Sequence, residues 1–433
     1  MPDTSIAILI LMSTFLILMV LRIPIAFSVG LATLATMMYL GLPLRQCAQL
    51  MVKGINSYSL MAVPFFIVSG ELMGAGGISD KLIGLADALV GWMRGGLAMV
   101  NCLDSAFFGG ISGSAAADTA SLGSILIPMM VKQGYEPEFS TNITLATSIQ
   151  GLLIPPSHNM VIYAMVAGSV SVGRLFLAGI VPGITLGISL MIYSYFMAIK
   201  HNYPKGSPFS IKNACRAFVN SFWGLCTILI VMVGVVTGLF TATEAAAVSV
   251  VWAIFVSFAI YKGMTLKGFW ECLGNATKTL SMVLILVSVS SAFGWLLTYL
   301  RVPQIFATAF LSITDNRVIL LILINALLLF LGCIMDMSPI ILVATPILLP
   351  IVQSLGMDPV QFGIIMIFNL GVGLITPPVG TVLFIGSAIS HIKVERLAVK
   401  LIPIYGVMIL VLMILTFVPA LSLTLPNLLM PMN

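Results

Sequence analysis

The sequence predicts an all-α polytopic membrane protein with roughly 11–12 transmembrane helices, two re-entrant hairpins and a pseudo-two-fold inverted repeat. Three observations carry this fold class. Sixty per cent of the 433 residues are hydrophobic, only 8% are charged and the mean hydropathy is +1.16, a composition outside that of soluble domains. Two Pro-Pro pairs, in GLLIPPSHNM (Gly151 to Met160) and GLITPPVGTV (Gly373 to Val382), interrupt apolar runs long enough to cross a bilayer. The sequence around the first break recurs around the second at a fixed offset of 222 residues.

The breaks organise the chain. Proline removes a backbone donor and clashes with the preceding helical turn. Broken backbone at membrane depth is tolerable only where protein surrounds it or it lines a wet cavity, so paired breaks point to a secondary transporter's binding site.

In chain order, Ser5 to Leu21 reads as a first anchor helix rather than a cleaved signal, because no positive charge precedes it and no small-residue cleavage site follows. Arg22-Ile23-Pro24 turns the chain into a second span ending near Leu40, and Arg45 to Tyr58 is weakly amphipathic, suited to the interface. A third span, Leu60 to Met73, carries Glu71; glycine-rich Gly74 to Asp87 is expected to be a loop; a helix from about Leu89 follows. GGISGSAAAD (Gly109 to Asp118) is too small and polar for a lipid-facing helix and predicts a re-entrant hairpin with its tip at Ser112-Gly113-Ser114, closed by a turn at Lys132 to Pro137.

After the first break and a span at Leu175 to Ile199 comes the most basic connection, with Lys200, His201, Lys205, Lys212 and Arg216, which the positive-inside rule places in the cytoplasm. Spans at Phe218 to Phe240 and Ala245 to Tyr261 return the chain to the same side at Lys262 and Lys267. A longer helix, Thr279 to Tyr299, leads through Arg301-Val302-Pro303 and a turn at Asp315-Asn316-Arg317 into a second hairpin with its tip in CIMDMSP, Cys333 to Pro339. The second break and a span at Leu401 to Leu421 complete the chain. The regions are therefore 1–80, scaffold helices and an interfacial arm; 81–200, a first transport region; 201–300, a cytoplasmic loop and scaffold; and 301–433, a second transport region with the last helix.

Residues 128–175 align on 350–397 without a gap, with 11 of 48 positions identical. Shared leucines follow from composition, but Pro128/Pro350, Gly134/Gly356, Pro137/Pro359, Gly151/Gly373, both proline pairs and Arg174/Arg396 at one offset do not. The same offset sets Ser114 opposite Asp336, so the two tips correspond. A spacer with an odd number of spans makes the repeat inverted.

Glu71, Asp104, Asp118, Glu244 and Asp336 lie in or beside apolar segments, where a charge costs about 2.5–3.5 kcal/mol even on the lenient insertion scale. Asp118 and Asp336, beside the tips, fit ordering of the hairpins or an ion's field, with helix capping as the bland alternative; Glu244 after Thr241 and Thr243 fits a cap. Unwound carbonyls and hydroxyls suit sodium. One candidate set is Ser112, Gly113, Ser114 and Ala115 with Ile154, Pro155 and Pro156; the other is Met335, Asp336 and Ser338 with Thr376, Pro377 and Pro378. An anionic substrate suits half-helix N-termini, where Ser157, His158, Asn159, Gly380 and Thr381 converge. His158 serves as a hydrogen-bond donor or a proton carrier. Arg174 and Arg396 are interface anchors or substrate contacts.

Other classes find little support. The six cysteines show neither CxxC nor metal spacing, and the 19 Lys and Arg behind the +5 net charge fall largely at the ends of apolar runs. No nucleic-acid surface is expected. GGISGSAAAD lacks the lysine of a phosphate loop, so no ATPase is expected in the chain, and no nucleophile or catalytic metal set predicts an enzyme.

Through GGISGSAAADTASLGSILIPMM, the IPPS break, MDMSPIILVATPILLPI and GLITPPVG, the sequence resembles the large membrane subunit of the tripartite ATP-independent periplasmic transporters, the DctM family, over essentially its whole length. The resemblance implies an elevator-type importer of the bacterial inner membrane with sodium as coupling ion and no other cofactor. It implies two partners, a small four-helix membrane subunit (DctQ type) and a periplasmic substrate-binding protein (DctP type), and carboxylate substrates such as C4-dicarboxylates, sialic acid or sugar acids. It places the ion sites at Ser112 to Ala115 with Ile154 to Pro156, and near Asp336 with Thr376 to Pro378. Nothing before the first anchor suggests fusion to the small subunit. The alternatives are a self-sufficient sodium/dicarboxylate symporter, a channel with the breaks as filter, and a membrane enzyme.

Overall fold

The computed structural model describes residues 3–21, 23–206, 208–311, 314 and 316–431. Among them it is all helical, with no strand. Arg22 and Asp315, each predicted to help turn the chain, lie outside the described residues.

The first half opens with α1 (Thr4–Val20), α2 (Ile25–Tyr39), the amphipathic arm α3 (Leu44–Ile55) and α4 (Ala62–Ala75). The expected loop after α4 is instead the helix α5 (Ile78–Val90), bent 71° from α4. Gly77, in the left-handed region at φ +80°, makes the corner, and Ile78, Leu82, Leu85 and Ala86 then recur at helical spacing and are buried. The first hairpin is α6 (Gly96–Ser112) and α7 (Ala115–Lys132), followed by α8 (Pro137–Leu153), the break, α9 (His158–Ala167) and α10 (Val172–Lys200).

The second half begins with α11 (Ile211–Val236), α12 (Ala242–Phe255) and α13 (Leu266–Tyr299). Glu244 closes a reciprocal capping box with Thr241 at the start of α12, the capping role expected for it. The helix α14 (Val302–Leu311) leads to the second hairpin, α15 (Arg317–Ile334) and α16 (Met337–Ser354). Then come α17 (Pro359–Leu374), the break, α18 (Thr381–Ser390), α19 (Val394–Phe417) and α20 (Ala420–Leu429). Helices α6 to α10 and α15 to α19 start in the same order, each pair within a residue of the 222-residue offset.

Seven helices are long and apolar enough to cross a membrane, or eight if bent α4–α5 counts as one span, among the described residues; α1, α2, α9, α17, α18 and α20 are shorter apolar helices. Helices α8 and α17, which precede the breaks, are buried almost all round and pack on each other. Each is pinned to the first arm of its hairpin by a buried amide. Asn101 of α6 bonds Thr144 and Thr147 of α8 at 2.6 and 2.9 Å, and Asn369 of α17 donates to the Asn325 side chain of α15 at 2.9 Å. Close backbone approach completes both seams: a Cβ on Gly109 would sit 2.1 Å from the Gly151 Cα, and one on Gly373 2.6 Å from the Gly332 Cα. These glycines hold hairpin and core helix together at a distance no side chain permits.

Candidate functional site

Both hairpin tips meet the breaks. Helix α6 ends on Gly113 at φ +59°, and a Cβ there would come within 2.9 Å of the Pro156 carbonyl oxygen and the Ser157 Cα. Ser114 caps α7, accepting from the Ala117 N–H at 3.4 Å. In the second half Asp336 caps α16, accepting from the Met337 N–H at 2.9 Å, and the Val379 N–H donates to the Cys333 carbonyl at 3.0 Å, tying tip to break. Pro155–Pro156 and Pro377–Pro378 are both cis.

Between the tips lies a cavity of about 330 Å³, walled by hairpins and broken helices on one side and by α4 (Ile67, Gly70, Glu71) and α13 (Thr279, Val283) on the other. Four helices present their first turns to it: α7 through Ala115 to Ala117, α9 through His158 and Asn159, α16 through Met337 and Ser338, and α18 through Thr381 and Val382. A helix start carries free N–H groups and about half a positive charge. Among the described residues no Lys or Arg lines the cavity, and its acids are Glu71 and Asp336. Helix starts of this kind can take an anion by backbone rather than by side-chain cations.

Of the predicted site residues, Ser112, Ser114, Ala115, His158, Asn159, Asp336, Ser338 and Thr381 line this cavity. Gly113, Pro155, Pro156 and Ser157 are buried behind it at the first tip, with Ile154 partly exposed; Gly110 packs on the Pro155 carbonyl. The Ser157 hydroxyl is fully buried without a hydrogen-bond partner. The second break differs: Pro377 and Pro378 are exposed, and the Thr376 hydroxyl is spent on the Val372 carbonyl at 2.7 Å. Gly380 is buried at φ +34°, and a Cβ there would lie 2.9 Å from the Thr376 carbonyl. Met335 faces elsewhere, into an apolar cavity with Met12 and Phe15.

The two arginines stand apart from the cavity. Arg174 donates to the carbonyls of Pro426 and Met430 and, at 2.6 Å, to the Asn427 side chain, fastening α20 to α10. Arg396 pairs with Glu138, joining the start of α19 to the start of α8, and Asn142 donates to the Leu397 carbonyl at 3.1 Å in the same seam. Asp118 is buried inside the first hairpin, not in the cavity. Its two carboxylate oxygens, those of buried Asp104 and the Ser105 hydroxyl all lack hydrogen-bond partners.

Sequence reasoning missed the cavity roles of Glu71 and Thr279, which lie on scaffold helices far in sequence from any break. Only an acid in an apolar run marked Glu71, and nothing marked Thr279. Among the described residues no cluster of three or more His, Cys, Asp and Glu forms a transition-metal site. The oxygens on offer are carbonyls, hydroxyls and single carboxylates, the hard donors of alkali ions.

Residues 12–421 match the family model of the tripartite ATP-independent periplasmic transporter, DctM component. The chain is 40% identical over 414 residues to the isethionate TRAP transporter permease protein DctMQ of Oleidesulfovibrio alaskensis, covering 95% of this chain and 65% of that one. It is 38% identical over 406 residues to the sialic acid TRAP transporter large permease protein SiaM of Vibrio cholerae, covering 94% and 95%. Among solved structures, the YdaH transporter of Alcanivorax borkumensis superposes with a TM-score of 0.62 over 86% of this chain and 88% of its own, at 14% identity, a likeness of fold.

Proposed function

The chain belongs to the DctM component family of the tripartite ATP-independent periplasmic transporters, and from that premise we propose that it is the large membrane subunit of a sodium-coupled importer of organic acids in the bacterial inner membrane. One observation carries the reading of the cargo: four helix N-termini converge on one cavity without a lysine or arginine. Such a site holds a carboxylate or sulfonate group and still releases it, because no buried ion pair must be broken. Relatives named for isethionate and sialic acid fit the same anion class.

Sodium binds at the two tip-and-break junctions in this reading. The first offers the Ser112 and Ser157 hydroxyls and the Pro156 carbonyl around Gly113, and the unsatisfied Ser157 hydroxyl fits an ion ligand. The second offers Asp336, Ser338 and the Thr376 carbonyl. Coupling follows from placement: an ion that fixes a tip also fixes the N-terminus that holds the anion. Hairpins and broken helices then travel as one elevator body against α4 and α13, carrying the cavity's inner wall. Substrate arrives from a periplasmic binding protein, and a small four-helix membrane subunit braces the scaffold.

The test is uptake of radiolabelled succinate, isethionate and N-acetylneuraminate into proteoliposomes holding this chain with its small subunit, with and without an inward sodium gradient and the binding protein. Uptake that needs both is the expected result. Uptake that needs sodium but ignores the binding protein would replace this reading with a self-sufficient symporter.

A further inference from the structure

Two clefts approach the central cavity from opposite sides, and they differ in connection and in charge. The first, of about 430 Å³, runs between α4, α6, α7 and the start of α13 and is lined by Gly74, Phe108, Ser121, Glu271 and Asn275. It shares Gly70, Glu71 and Ala117 with the central cavity, so the two spaces meet at Glu71. Its α13 wall begins just after Lys262 and Lys267, which the positive-inside rule assigns to the cytoplasm. The second cleft, of about 500 Å³, lies toward the other end of α13, where Lys53, Met165, Ser290 and Trp295 line it, and it shares no lining residue with the cavity. The central cavity and the first cleft therefore share a wall on the side that the positive-inside rule assigns to the cytoplasm.

The charges follow the same axis. The connected cleft holds Glu71 and Glu271 and neither Lys nor Arg; the separate cleft holds Lys53 and no acid. Glu271 is exposed and lies 3.9 Å from Lys267, which offsets its charge. Glu71 has no ion pair and no side-chain hydrogen bond among the described residues, and its side chain remains partly open to the cavity. Because Glu71 lines the cavity itself, a carboxylate without a partner there raises the energy of an anion held in the cavity and so shortens its stay.

We propose that Glu71 is a release residue: its carboxylate raises the rate at which the organic anion leaves the helix N-termini for the cytoplasm. The proposal rests on the reading that the cargo is an organic anion. An anion held only by helix starts is bound by modest dipolar attraction, so one like charge in the cavity wall shortens its dwell time substantially. Replacing that charge retains the cargo, which lowers both the half-saturating concentration and the maximal rate.

The experiment compares wild type, Glu71→Gln and Glu71→Asp for uptake of succinate, isethionate and N-acetylneuraminate in the complete three-part system. Glu71→Gln is expected to lower maximal uptake about five- to tenfold and KM by a similar factor, leaving their ratio near wild type, while Glu71→Asp, which keeps the carboxylate, moves both less than Glu71→Gln does. A fall in rate with unchanged or raised KM, or no change, overturns the proposal. A substrate-free arm labels Glu71→Cys, in a background with the six native cysteines replaced by serine, using an impermeant maleimide on inside-out and right-side-out vesicles. Labelling from the cytoplasmic face supports the proposal; labelling only from the periplasmic face overturns it. If wild type takes up none of the three acids, the organic-acid reading fails and the labelling still decides where Glu71 opens.

Discussion

The Ser338 hydroxyl donates to the Asn159 side-chain oxygen at 3.2 Å. Ser338 stands in the first turn of α16, from the second hairpin, and Asn159 in the first turn of α9, after the first break. The two halves of the chain thus meet by a side-chain bond at the cavity wall. A double-mutant cycle of Ser338→Ala and Asn159→Ala, read as half-saturating sodium and substrate concentrations, should give a coupling energy of about 0.5–1.5 kcal/mol. Additive effects would mean that the halves act independently there.

At the first tip, Gly113 leaves no room for a side chain. Gly113→Ala places a Cβ 2.9 Å from the Pro156 carbonyl in a left-handed backbone, and should cut sodium-dependent uptake at least tenfold, with about 1–2 kcal/mol lost from the left-handed conformation itself. Gly134→Ala is the control: its φ is +89° but nothing lies within 4 Å of the added carbon. It should share the conformational cost and keep transport, measured as uptake per properly folded protein.

Arg174 and Arg396 should act on stability rather than on substrate. Arg174→Ala frees α20 and leaves the buried Pro426 carbonyl and the partly buried acceptors at Met430 and Asn427 unpaired, which predicts a loss of about 1–3 kcal/mol. Arg396 is 71% exposed while its partner Glu138 is 9% exposed, and the solvent-screened pair predicts a smaller loss, about 1 kcal/mol for Arg396→Ala. Thermal unfolding in detergent should record both shifts while KM stays within twofold; a tenfold rise in KM would return either arginine to the substrate site.

The unpartnered acids inside the first hairpin give a fourth prediction. Asp118 faces Gly151 of the core helix, its Oδ2 3.4 Å from where a Cβ on Gly151 would sit. Asp118→Asn keeps the shape and removes the ionisable group, so the chain should fold at wild-type yield. If this carboxylate contributes to the field of the neighbouring tip, the half-saturating sodium concentration should rise about tenfold, equivalent to about 1.4 kcal/mol. An unchanged sodium curve with lower yield would make Asp118 purely structural.

Local rules determined much of this protein from sequence. Apolar run lengths marked its helices, the proline pairs marked its two breaks, Thr241 and Glu244 announced their capping box, and the fixed offset of prolines and glycines placed the two hairpin tips in correspondence. Each signal needs only residues close along the chain, or one repeated spacing. The loop expected at Gly74 to Asp87 failed because its helical face, Ile78, Leu82 and Leu85, is diluted by polar residues and becomes legible only where α5 is buried.

The tertiary structure alone decided which of the marked residues share a site. It drew Glu71 and Thr279 from scaffold helices into the cavity wall, turned Arg174 and Arg396 to other seams, and turned Met335 into an apolar cavity. It also set Gly70, Glu71 and Ala117 in the walls of both the cavity and one neighbouring cleft. A side chain's destination depends on how helices cross and rotate, and those angles are set by contacts such as Gly109 on Gly151 between residues far apart in sequence.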